Sequence, residues 1–282
     1  MNTTSITSTM QRYIRVLSIA GSDSGGGAGI QADLKTISAL GCYGMTAITA
    51  ITAQNTLGVT AIHPVPPDML SAQMDAVMSD IGADAVKIGM LHDSETIAAV
   101  VYCLRQHAVA SVVLDPVMVA TSGAVLIQQS AISALVRQLF PVATLITPNL
   151  DEASLLVGYA LEDEAAMLRA GQQLLDMGAQ AVLIKGGHLA GATVRDVLVR
   201  QHVSPTWWRD PRIDTINTHG TGCTLSSAIA CNLAQGVDLV SAITSARHMV
   251  RAAIATGAHI KTGSGSGPLN HLSAPMPMHT TL

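Results

Sequence analysis

Apolar positions along the chain fall into short uninterrupted runs that alternate with longer stretches repeating every three to four residues. The runs at 14–20, 45–52, 59–64, 85–89, 111–115, 144–147, 181–185 and 195–200 are rich in Val, Ile and Ala and read as strands. The periodic stretches at 28–40, 67–80, 94–107, 129–139, 150–157, 163–177, 220–235 and 239–257 read as helices. Strands that are apolar on both faces and spaced by crossover helices predict a central, mostly parallel sheet flanked by helices, a three-layer α/β fold. In such sheets ligands bind beyond the C-terminal ends of the strands. Polar clusters fall there: residues 21–29, Asp115-Pro116-Val117-Met118, Thr147-Pro148-Asn149 and Lys185-Gly186-Gly187-His188. No linker or internal repeat interrupts the pattern. The expected organisation is a flexible N-terminal tail over 1–11, one domain over 12–272 and a C-terminal tail over 273–282.

Composition narrows the partners. The 282 residues are 49% hydrophobic, enough for one large core, but only 2% aromatic, which argues against base-stacking platforms. A net charge of −4 offers no basic footprint for nucleic acid or an anionic membrane, so the expected partner is a small molecule. The four cysteines, Cys42, Cys103, Cys223 and Cys231, form no CxxC pair and read as reduced thiols of a cytoplasmic protein. Three of them, Cys42, Cys103 and Cys231, read as small buried hydrophobes. Mean hydropathy is +0.40, yet Ser, Thr, Gly and Asn interrupt every apolar run short of a membrane span. Residues 1–11 lack the apolar core of a signal peptide. The ten histidines show no HxxxH spacing, so a structural zinc site is not expected. Trp207-Trp208 reads as local packing or a surface strand.

The chemistry-bearing segment is Asn217-Thr218-His219-Gly220-Thr221-Gly222-Cys223-Thr224, which runs straight into a helical pattern. A helix N-terminus presents unpaired N–H groups and partial positive charge, and Gly220 and Gly222 let an oxyanion approach the backbone. A thiol placed there is expected to have a lowered pKa and to serve as a base or nucleophile. Asn149-Leu150-Asp151-Glu152 supplies oxygens for Mg²⁺ through water, or alternatively caps a helix. Lys185, at a strand end beside Gly186-Gly187, faces a nucleotide phosphate or is an ordinary strand-end lysine. The glycine-rich loop at 21–29, bracketed by Asp23 and Asp33, fits neither a GxGxxG register nor a P-loop, where Leu34 occupies the second glycine position.

Taken in order from about residue 14 to Asn270-His271, these segments resemble the ribokinase-like superfamily. Within it they resemble the bacterial hydroxymethylpyrimidine/phosphomethylpyrimidine kinases of thiamine biosynthesis. The resemblance rests on Ala20-Gly21-Ser22-Asp23, Gly29-Ile30-Gln31-Ala32-Asp33-Leu34-Lys35-Thr36, Ala53-Gln54-Asn55-Thr56 and Lys87-Ile88-Gly89-Met90-Leu91. It also rests on Asp115-Pro116-Val117-Met118, Thr147-Pro148-Asn149-Leu150-Asp151-Glu152, Lys185-Gly186-Gly187-His188 and the 217–224 segment.

The resemblance implies a homodimer of single α/β domains, with a sheet of eight or more strands and with ATP and Mg²⁺ as co-substrates. Gln54 is implied to read an aminopyrimidine edge, with Ala28, Asp33, Met90 and Val117 around the ring. Gly220, Thr221, Gly222 and Cys223 match the anion hole and its thiol, Asn149 and Glu152 the metal–phosphate motif, and Lys185 the nucleotide side. Two departures stand out: Ser24-Gly25 replaces a common Pro-Ser, and the segment after Ser122-Gly123 lacks an acidic residue. The nearest alternative is a pyridoxal/pyridoxine kinase on the same scaffold. A non-catalytic nucleotide-binding protein would not need the intact Gly-Thr-Gly-Cys, and a sugar kinase would more often place Asp where Cys223 stands.

Overall fold

The computed structural model describes residues 11–118 and 126–281. The expected flexible tail, apart from Gln11, and the Ser122-Gly123 departure lie outside those residues. Along the chain come β1 (Arg12–Tyr13), β2 (Arg15–Asp23), α1 (Gly29–Ala39), β3 (Tyr43–Asn55), β4 (Gly58–Pro64), α2 (Pro67–Asp80), β5 (Ala85–Ile88), α3 (Ser94–Gln106) and β6 (Val112–Leu114). There follow α4 (Gln129–Ala134), β7 (Leu145–Ile146), α5 (Leu150–Val157), α6 (Glu164–Asp176), β8 (Ala181–Gly186), β9 (Thr193–Arg200), β10 (Val203–Pro211), α7 (Thr221–Ala234), α8 (Leu239–Gly257) and β11 (Thr280–Thr281).

Among the described residues nine strands make one sheet in the order β10-β9-β8-β7-β6-β5-β2-β3-β4. The run from β3 through β2, β5, β6 and β7 to β8 is parallel, while β4, β9 and β10 add antiparallel edges. The predicted α/β fold with a mostly parallel sheet is therefore the one observed. Side chains alternate across it as the pleat requires. Leu17, Ile19, Val86, Ile88, Val112, Leu114, Val182 and Ile184 face a core closed by Leu70, Met74, Ile97 and Met167 from α2, α3 and α6. Val16, Ala85, Val113 and Leu183 face the other side, against Ile37 of α1, Ile229 of α7 and Ile243 of α8. Among the described residues no helix is long and apolar enough to cross a membrane.

Differences from the expected elements have local causes. The helix expected over 129–139 widens to a π-helical turn at Leu135–Leu139 and closes in a 3-10 turn, Phe140–Val142, where Pro141 ends it. The strand β10 was not evident from periodicity because it is an edge strand, half exposed and containing Pro205. It carries both tryptophans: Trp208 donates to Thr244 Oγ1 at 2.9 Å and lies under Arg247, and Arg209 covers Trp207. The stretch 273–281 returns to the start of the chain, where β11 pairs with β1 and Met276 and His279 donate to the carbonyls of Ala39 and Gly41.

One inward position breaks the apolar pattern. Lys87, in the middle of β5, is fully buried and donates to both oxygens of Asp33 on α1, at 2.8 and 2.9 Å. Ser18 of β2 and Ser227 of α7 donate to the same carboxylate at 2.6 and 2.8 Å. Burial would lower the Lys87 pKa, but Asp33 above all outweighs it and holds the ammonium charged, its pKa raised. This cluster ties two strands and two helices together at one carboxylate. Breaking a buried pair from one side leaves an uncompensated charge. Lys87→Met should therefore cost about 3–5 kcal/mol in urea unfolding, and adding Asp33→Ala should recover part of that loss.

Candidate active site

The N-termini of α1 and α7 converge at the C-terminal edge of the sheet. Gly220, the residue before α7, adopts a left-handed conformation (φ 84°), and a Cβ there would collide with the carbonyl oxygen of Gly27 just before α1. Only glycine lets the two helix ends come this close. Asn217 fixes the approach to α7, its amide donating to the carbonyls of Gly257 and Ile260 at 2.8 and 2.7 Å. The thiol of Cys223, in the first turn of α7, feels the backbone N–H of Gly29, the first residue of α1, and the ammonium of Lys87, both of which favour its ionised form. Two helix dipoles and an ammonium thus point at one small volume, which is the physical recipe for an oxyanion site.

Around this point runs a cavity of about 840 Å³. On one side lie Asn149, Glu152 and Lys185. Asn149 Oδ1 accepts from Glu152 N and Glu152 Oε2 accepts from Asn149 N, both at 2.8 Å, a reciprocal cap on α5 that leaves the other carboxylate oxygen of Glu152 outside it. Lys185 Nζ donates to Asp115 at 2.6 Å and stands 4.0 Å from Glu152. Burial would lower Lys185, but Asp115 and Glu152 overcome it and keep the ammonium charged. Burial pushes Glu152 up to about 7, with Lys185 opposing and Asp115 adding to the rise. A Cβ on Gly222 would stand 3.2 Å from both Asp115 and Lys185, so glycine there brings the α7 backbone against this pair.

On the other side the loop after β2 wraps around a carboxylate. Asp23 accepts from the N–H groups of Gly25, Gly27 and Ala28 at 2.7, 3.1 and 2.8 Å and from His219 Nε2 at 2.9 Å. Burial alone would raise Asp23, but His219 and these N–H groups hold it below the usual carboxylate range. The amide of Gln54 lies 3.4 Å from the same imidazole. Beside it Met90, Ala50 and Leu126 form a small apolar wall joined by Val117.

Of the residues expected at the site, Cys223, Gly220, Thr221, Gly222, Gln54, Ala28, Met90, Val117, Lys185, Asn149 and Glu152 all line this cavity. Asp33 does not. It lies beneath the floor, its carboxylate taken up by Lys87, Ser18 and Ser227, so it cannot also face a ring. The expected lowered thiol pKa is also corrected: burial pushes Cys223 up to about 11, against Lys87 and the Gly29 N–H, with Asp33 and Asp115 adding to the rise.

Pattern reasoning put Asp23, Asp115 and His219 in segments at the ligand end of the sheet without giving them a role, and it missed Lys87. Lys87 could have been flagged as a charge inside an apolar run. The thiol itself yields a direct check. Alkylation of Cys223 by iodoacetamide, followed residue by residue by mass spectrometry, should be slow at pH 7 and rise about tenfold per pH unit to at least pH 9. A rate already level by pH 8 would show a thiolate that burial does not suppress.

Comparison with known proteins agrees with this geometry. Residues 23–270 match the family described as phosphomethylpyrimidine kinase. The chain is 54% identical over 258 residues to the hydroxymethylpyrimidine/phosphomethylpyrimidine kinase of Rhizobium meliloti, covering 90% of this chain and 96% of that one. Among solved structures it is similar to a phosphomethylpyrimidine kinase from Clostridium difficile (42% identity, 86% of this chain and 99% of the other, TM-score 0.76). It is also similar to an ADP complex of Bacillus subtilis pyridoxal kinase (38% identity, 93% and 98%, TM-score 0.86). The chain is a phosphotransferase and belongs to the phosphomethylpyrimidine kinase family.

Proposed function

We propose that the protein moves the γ-phosphoryl group of ATP onto the hydroxymethyl oxygen of 4-amino-5-hydroxymethyl-2-methylpyrimidine. It then phosphorylates the resulting monophosphate to the diphosphate, in thiamine biosynthesis. The observation that carries this reading is the meeting of the α1 and α7 N-termini at Cys223, between a Gln54-bearing pocket and the Asn149–Glu152–Lys185 wall. Gln54 offers a carboxamide to the aminopyrimidine edge, and Met90 and Val117 flank the ring. The backbone N–H groups at 220–223 stabilise the oxygens of the phosphoryl group in flight, and Lys185 offsets charge on the nucleotide phosphates.

The wall carries more acid than base: Asp115 and Glu152 face Lys185, and Asn149 adds a carboxamide oxygen. A polyanionic nucleotide there needs a hard cation, and an oxygen donor set of this kind fits Mg²⁺. Asn149 and Glu152 would hold it through water, and it would supply positive charge to offset that of the nucleotide phosphates. The protein works in the cytoplasm as a homodimer.

Cys223 is the proton acceptor of the first transfer. As the hydroxymethyl oxygen bonds to phosphorus and the bridge to ADP breaks, the hydroxyl proton passes to the ionised form of its sulfur, the thiolate. With the pKa at about 11, only about one thiol in 10³–10⁴ is ionised near neutrality, yet a loose transition state asks for the base only late. A phosphate monoester has a second pKa near ~6 and attacks already deprotonated.

The rate of the first transfer should therefore rise about tenfold per unit from pH 7 to pH 9, while the second stays level above pH 7. Cys223→Ala should lower the first transfer about 100-fold or more and the second by less than about tenfold, in single-turnover assays with each acceptor. Equal loss in both would remove Cys223 as the base.

The similarity to pyridoxal kinases supports one other reading, phosphorylation of pyridoxal in the same pocket. A carboxamide matched to the aminopyrimidine edge favours the pyrimidine. The expected result is a higher kcat/KM for the hydroxymethylpyrimidine than for pyridoxal, and the reverse order selects the pyridoxal reading.

A further inference from the structure

Away from the cavity, three side chains of metal-binding type meet on the outer helical layer. Cys103 and His107 stand one helical turn apart, on α3 and the residue that closes it, so both project from one face. Asp75 reaches the same spot from α2, which packs against α3. The imidazole Nε2 is 3.5 Å from an Asp75 oxygen, and the ligand atoms of all three residues lie within 4.8 Å of one another. Ligand atoms about 2.1 Å from a tetrahedral zinc lie ~3.4 Å apart, so the imidazole–carboxylate edge already has that spacing. The buried sulfur is the third corner of the triangle, within 4.8 Å of both other ligand atoms.

We propose that Asp75, Cys103 and His107 form a binding site for a thiophilic divalent cation of the zinc type, with water in the fourth position. The donor set decides the chemistry. A sulfur and an imidazole nitrogen select zinc-like ions over magnesium, which prefers an all-oxygen octahedron. Binding forms one metal–sulfur bond and releases the thiol proton to solvent, so no oxidant or reductant is involved. A half-exposed imidazole–carboxylate contact alone contributes little, whereas an ion held from both helices clamps α2 to α3. The site lies by the end of α3, where the chain turns back into β6, and none of its residues lines the catalytic cavity. The proposal adds to the phosphotransfer reading without resting on it.

The absence of HxxxH spacing had argued against such a site. That spacing tests only histidine pairs, and here one ligand is a thiol and another comes from a different helix.

Cobalt titration of the full-length protein tests the assignment. One equivalent of Co²⁺ should give a thiolate-to-cobalt charge-transfer band and the visible bands of a tetrahedral ion. Cys223→Ala should keep both, whereas Cys103→Ser and His107→Gln should lose them. Zn²⁺ should displace the cobalt and raise Tm, and Mg²⁺ should do neither. His107→Gln and Asp75→Asn, at positions partly open to solvent, should weaken Zn²⁺ by more than the about 10–100-fold typical of outer-sphere changes, and they carry the test if Cys103→Ser does not fold. No band at equimolar Co²⁺, a band that survives Cys103→Ser, or a band lost in Cys223→Ala overturns the proposal. Wild-type turnover in the His107→Gln protein separates this site from the catalytic one.

Discussion

The buried ion pair of Asp33 and Lys87 is the constraint on which the rest of the molecule depends. A charge inside a strand that is buried on both faces is tolerated only with full pairing, and Asp33 must come from a helix lying directly above it. That requirement sets where α1 sits on the sheet. Ser227 carries the same requirement to α7, since its hydroxyl donates to Asp33. With both helices placed from below, their N-termini meet where Gly220 passes Gly27. The anion site is the upper end of an arrangement whose lower end is one carboxylate.

Four effects compete at Cys223, and their sizes decide its state. Each helix terminus favours the thiolate by ~0.3–1 kcal/mol, rising to about 2 in buried geometries, and Lys87 acts in the same direction. Removing a thiolate from water costs more than these return, and Asp33 and Asp115 add repulsion. The net rise to about 11 amounts to roughly 3 kcal/mol in favour of the neutral thiol. The free enzyme therefore keeps its thiol protonated and unreactive. The same donors remain directed at whatever anion enters, which suits a centre whose main task is to stabilise a phosphoryl group.

The same architecture serves related kinases with different ring substrates, so the fold alone does not choose the acceptor. On the proposed reading, what differs between substrates is read by the wall of Gln54, Met90 and Val117, which lines the same cavity as Cys223. His219 holds Asp23, which gathers the glycine loop before α1, and it faces Gln54. One imidazole thus joins Gln54 to the glycine loop that leads into α1.

Much of this was legible in the chain itself. Uninterrupted apolar runs and helical periods located eight strands and eight helices, because buried strands and amphipathic helices leave local signatures that do not depend on partners. The Gly-Thr-Gly-Cys segment was legible for the same reason: a helix start with small residues is a local fact. The edge strand β10 left no clear period because half its positions face water, and only Trp207-Trp208 pointed to a surface strand there. The destination of Asp33, the pairing of Lys87 and the protonation of Cys223 were beyond any reading of neighbours in sequence. Asp33 and Lys87 are far apart along the chain, and their charges matter only once the sheet excludes water around them. Sequence determined which groups the protein possesses and on which elements they ride. The tertiary structure alone decided which charges cancel, because cancellation depends on distance and on solvent, and both are set by packing.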